Sequence, residues 1–130
     1  MLMPAAVLIV LLLGAIAVDS AIAYLGQRQA YNVAFDAAND AAGAGFDAGI
    51  ARTEGRIVYD EARVGDIAMQ AVDAAGIDDL ELVDVDIDET GAVAVTVEIT
   101  IDRLFVQAFG LDSGDPIRMT ARASGETRGP

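Results

Sequence analysis

A long apolar stretch opens this chain, and two hydrophobic periods follow it, one helical and one of alternating residues. From Met1 to Leu25 the run MLMPAAVLIVLLLGAIAVDSAIAYL carries a single ionisable side chain, Asp19. About 20 apolar residues cross the hydrocarbon of a bilayer as an α-helix, so the run predicts a transmembrane helix. Pro4 falls in its first turn, where the missing N–H has no partner to lose. The helical period continues beyond the run: Tyr24, Arg28, Tyr31, Phe35, Ala38, Ala42 and Phe46 recur at spacings of three or four. One helix is therefore expected from about Pro4 to the cluster Gly43, Gly45 and Gly49. Such a rod is roughly 60–70 Å long, about twice the apolar thickness of a membrane.

A second helix is expected between Asp60, as N-cap, and Gly76, as C-terminal stop, with Val64, Ile67, Ala68, Ala71 and Ala75 on one face. Beyond Gly76 the period changes to two. Val83, Val85 and Ile87 alternate with Asp84, Asp86 and Asp88. After a turn at Glu89-Thr90-Gly91, Val93, Val95, Val97, Ile99 and Ile101 alternate with Ala94, Thr96, Glu98, Thr100 and Asp102. An apolar stretch from Leu104 to Phe109 and a loop from Leu111 to Pro116 lead to a third strand. In that strand Ile117, Met119, Ala121 and Ala123 face inward, and Arg118, Thr120 and Arg122 face outward. One apolar side per strand suits an antiparallel sheet that lies on helices and wets its other face. The fold class is thus α+β, with residues 1–26 as anchor, 27–52 as the continuing helix and 53–130 as the head. Arg118 and Arg122 are expected opposite carboxylates such as Glu98, each cross-strand pair worth about 0.2–1 kcal/mol.

Composition sharpens this division. The chain is 54% hydrophobic yet carries a net charge of −13, and its mean hydropathy is positive; these coexist because the two residue classes are segregated. Asp19 is the first of 21 carboxylates, and the rest follow it. Eight arginines, no lysine and no basic cluster argue against a nucleic-acid partner, whose phosphates demand clustered cations. With neither Cys nor His, disulfides, thiolate nucleophiles, imidazole bases and the common zinc ligands are absent from the chemistry.

Asp19 lies past the middle of the apolar run, near an interface. Even at the bilayer centre an Asp costs about 2.5–3.5 kcal/mol. Val, Leu and Ile residues between Val7 and Val18 return about 0.3–0.6 kcal/mol each, and there are nine of them. Insertion is therefore expected, and an acid at that depth is a candidate for pairing with a partner or for snorkelling to the headgroups. Ala15-Ile16-Ala17 and Ala21-Ile22-Ala23 resemble signal-peptide cleavage sites, but the run is too long for a signal and no basic residue precedes it. A lone Arg28 on the far side sets no orientation.

The outer half of the helix is rich in alanine: Ala30, Ala34, Ala37, Ala38, Ala41 and Ala42. A face marked by Tyr31, Phe35 and Phe46 is expected to pack on the head. The Ala-rich surface between Tyr24 and Ala42 is expected to approach neighbouring helices. Here the sequence resembles a known family. The apolar run, Ala17-Val18-Asp19, the segment Tyr24-Leu25-Gly26-Gln27-Arg28-Gln29 and the stretch from Ala37 to Gly45 (AANDAAGAG) look like the N-terminal module of TadE/TadG-like pilus-assembly proteins. The resemblance covers about residues 4–46. It implies a pilin-like head and a minor pilin or pseudopilin of a tight-adherence (Flp-type) pilus or related secretion system. It also implies a single pass through the bacterial cell membrane, with the head extracytoplasmic or at the cell surface. The partners it implies are the lipid bilayer and other pilin-like subunits or the assembly platform, including copies of this chain through the N-terminal helix. Asp19 matches the family's acidic position at the membrane exit, and Tyr24, Arg28, Tyr31, Phe35, Ala38 and Ala42 line the assembly face. The Glu near the mature N-terminus, which pilin-like members pair with a neighbour's amine, is missing.

Other chemistry is weaker. Asp84-x-Asp86-x-Asp88 invites calcium, but the sixth position of an EF-hand loop needs Gly and this chain has Glu89. Strand alternation alone explains the spacing, so no cofactor is expected. Ser20, Ser113 and Ser124 have no His to activate them, and acids at exposed alternating positions lack the burial that general-acid work requires. The expectation is a non-enzymatic assembly protein. Its rival is a membrane-tethered acidic module that captures a cationic partner or calcium and enters no filament.

Overall fold

Leu2–Ala44 form one unbroken α-helix, α1, of 43 residues, about 65 Å long at 1.5 Å per residue. The fold is taken from a computed structural model and is described over residues 2–102, 104–110 and 114–124. α1 is long and apolar enough to cross a membrane. It stops where the glycine cluster begins: the Gly45 N–H closes the last turn on the Ala41 carbonyl at 2.8 Å. The expected continuation to residue 52 is therefore not one helix. A separate short helix, α2 (Ala48–Glu54), starts from Asp47, whose Oδ1 accepts from the Gly49 and Ile50 N–H groups, and ends at Gly55 with φ of 64°. The excursion is closed at its base. Asp47 N–H donates to the Val58 carbonyl at 2.8 Å and Asp60 N–H to the Gly45 carbonyl at 3.0 Å.

α3 (Glu61–Ala75) has the expected caps. Asp60 accepts from the Ala62 and Arg63 N–H groups, and Gly76 ends the helix at φ 61°, a left-handed position where a Cβ is costly. Its buried residues are Val64, Ala68 and Val72. Val72 replaces Ala75, the last helical residue, which is exposed. Asp78 and Asp79 form the turn into the sheet, with Asp79 at φ 62°.

Three strands, β1 (Leu80–Ile87), β2 (Ala92–Asp102) and β3 (Gly114–Ser124), pair antiparallel in the order β1-β2-β3. Val93, Val95 and Val97 on the central strand are fully buried, as alternation requires. Glu98 stands opposite Arg118, and the guanidinium Nε donates to its Oε2 at 2.7 Å. Pro116 is tolerated because β3 is an edge strand. β1 departs from simple alternation: its register shifts between Leu82 and Asp84, leaving Val83 exposed. That extra residue lets Leu80 and Leu82 share the inner face with Val85 and Ile87, all half-buried.

The result is a two-layer α+β head. α1 lies across β2 and β3, α3 lies beside it over β1, and the other sheet face is wet. A short helix, α4 (Leu104–Ala108), links β2 to β3 and rests against α1.

Candidate functional site

α1 changes its surroundings along its length. From Leu2 to Gly14 every residue is exposed, including Leu, Ile and Val side chains on all sides. A helix that is apolar all round finds its burial in a protein core or in lipid, and here Phe105 and Phe109 stand beside the segment without burying any of its residues. Coverage begins at Ala15 and Asp19. From Ala30 onward the helix is embedded: Ala30, Ala34, Ala37, Ala38 and Ala41 are fully buried and Ala42 is 2% exposed.

The stripe expected as one assembly face is thereby split. Tyr24 and Arg28 are exposed, and so are Tyr31 and Phe35, each at 43%, with their rings stacked at 6.2 Å between centroids and 18° between planes. Ala38 and Ala42, the next two positions of the same period, lie in the core. Of the aromatic face expected on the head, Phe46 is half-buried and bridges to Tyr59, whereas Tyr31 and Phe35 stay outside and the alanines expected outward are the buried ones. Small side chains let the helix axis approach its neighbours closely, and α3 closes over the C-terminal end, where Val64 abuts Gly45 so tightly that a Cβ there would stand 2.5 Å from its Cγ2. Bulky Tyr31 and Phe35 do not fit beneath the head and remain outside it.

Asp19 is 7% exposed. Its Oδ1 accepts the Phe105 N–H at 3.2 Å, an amide from the first turn of α4 that has no partner within its own helix. The carboxyl is thus engaged inside the chain, across a separation of 86 residues. Sequence reasoning passed over α4 itself. Leu104, Phe105 and Phe109 are exposed beside α1, and the signal was present as an apolar stretch in a connection, where polar residues are the rule.

The three aspartates of the alternating run take different places. Asp84 and Asp86 are exposed, whereas Asp88 staples the hairpin. Its Oδ1 accepts from the Thr90 hydroxyl, from the Thr90 N–H at 2.8 Å and from the Ala92 N–H at 3.0 Å. The Thr90 hydroxyl first, and the Ala92 amide after it, hold the Asp88 carboxyl below its ordinary value of 3.8. A lowered pKa stabilises the fold above the ordinary carboxylate value, and that contribution disappears as pH falls through the lowered one. Asp88→Asn is therefore expected to melt below wild type at neutral pH, with the gap closing as the pH is brought below about 3.8. A pH-independent gap in melting temperature would contradict the staple. Among the described residues no three acidic side chains converge to hold a metal ion.

Searches against protein-family models, curated proteins and solved structures give no match to this chain.

Proposed function

We propose that this chain is a membrane-anchored, pilin-like subunit that takes part in assembling a tight-adherence pilus, or a related secretion system, of the TadE/TadG-like kind. The apolar half of α1 holds it in the bacterial cell membrane with the head on the extracytoplasmic side. Neighbours join through the outward stripe of Tyr24, Arg28, Tyr31 and Phe35. The observation that carries this reading is the division of one continuous 43-residue helix: bare apolar surface first, then a half sunk in the head that leaves stacked aromatics outside. A stripe of Tyr, Phe and Arg is what protein interfaces enrich. Within this reading Ala38 and Ala42 hold the head to its helix, and Asp19 acts first inside its own protomer.

The test is the double variant Tyr31→Ala/Phe35→Ala in the full chain. Central interface aromatics cost about 2 kcal/mol or more each on truncation, so assembly is expected to fall by well over tenfold, read as sedimenting filament or complex. Membrane insertion and head melting should stay at wild-type values, because neither ring packs in the core. Unchanged assembly would refute the lateral-packing reading.

A further inference from the structure

α4 reaches the apolar side of Asp19. Phe105 of α4 and Phe109, just past its end, line, with Leu8, Leu11, Ala15 and Val18 of α1, an open groove of about 680 Å³. We propose that α4 is an interfacial foot of the head, which enters the head-side leaflet along with α1 and seats a phospholipid acyl chain in this groove. The inference rests on the membrane-anchor reading above and adds to it a second point of lipid contact that fixes how deeply the head sits.

Four observations point to lipid as the occupant. The groove walls carry no charged side chain, and they run without a polar break into the exposed apolar surface of Leu2–Gly14. Phe109, 66% exposed, stands beside Leu8 and Leu11 of the candidate span, and Leu104, 64% exposed, opens α4, which rests against α1; aromatic rings favour this zone of a bilayer. The Phe105 N–H, a donor that would be costly to bring toward hydrocarbon unpaired, already has the Asp19 carboxyl as its acceptor. Finally, Leu11 lies about 140° around the helix from Tyr24 at 3.6 residues per turn, so a neighbouring subunit seated on the aromatic stripe leaves the groove open to lipid.

The chain contains no Trp, so single tryptophans report depth directly. Full-length Phe109→Trp and Leu104→Trp are reconstituted in phosphatidylcholine vesicles whose acyl chains carry bromine, beside Leu12→Trp in the span and Thr120→Trp on the wet face. The proposal expects blue-shifted emission from F109W and L104W and most of the bromine quenching seen for L12W, with T120W unquenched. If L12W is quenched while F109W and L104W behave like T120W, the foot is refuted and the anchor stands. If L12W also escapes quenching, the anchor reading itself has failed. Blue-shifted but unquenched F109W, reverting when the vesicles are diluted in lipid, would mean that a second protein copy fills the groove, which also overturns the proposal.

Discussion

Ala37→Leu is expected to unseat the head from its helix, destabilising the protein by about 3 kcal/mol, the upper end of the range for overpacked cores. Ala37 is fully buried, as are Ala30, Ala34, Ala38 and Ala41 around it, so the added atoms meet the sheet or α3 with no path to solvent. Leucine is itself a good helix former, which isolates the packing term: the helix is not weakened, only its fit. Asn39→Leu is the control, an exposed site on the same helix where the change is expected to stay within about 0.5 kcal/mol. Thermal melts of the full chain in detergent compare the two. Equal melting of A37L and wild type would mean that the alanine face is not the seat of the head.

Asp19→Ala is expected to release α4. Removing the acceptor leaves the Phe105 amide without it at a part-buried site, at about 1–3 kcal/mol, which local opening converts to roughly 5- to 150-fold faster hydrogen exchange at that amide. Asp19→Asn keeps a side-chain oxygen at the same place and should retain most of the protection. The pair of variants also divides two roles for this residue. If its charge pairs with another subunit, D19N loses assembly while Phe105 stays protected; if its work is confined to its own chain, D19N assembles normally. Exchange at Phe105 unaffected by D19A would remove the tether from the account.

Much of this architecture was legible because local rules and tertiary packing agree. Asp60 and Gly76 cap α3 as their types require, and the valines of β2 alternate without a fault, so the central strand and its Glu98–Arg118 pair followed directly. Three features did not. α2 was hidden because the glycines that end α1 continue into it, and its own signals, Asp47 and Gly55, are short-range caps on a helix of 7 residues. Val83 looked like a core position because a bulge is a property of the pairing, invisible in one strand alone. The inner face of α1 was misjudged because hydrophobic periodicity weighs Tyr and Phe above Ala, whereas a close helix-to-sheet approach selects the smallest side chains. Asp19 belongs to a further class. Its position near the end of the apolar run was plain, but its hydrogen bond to Phe105 depends on how the whole head returns to the helix.

These pieces form one mechanical object: a rod whose first half is dressed for hydrocarbon and whose second half is clamped by an acidic cap, with a stripe of aromatics left outside the clamp. The most direct measurement is the partition of the intact chain after cell lysis. The account predicts that it stays with membranes through alkaline and high-salt washes and is released by detergent. Recovery of the intact chain as a monomer in plain buffer, without lipid, detergent or other subunits, would contradict it.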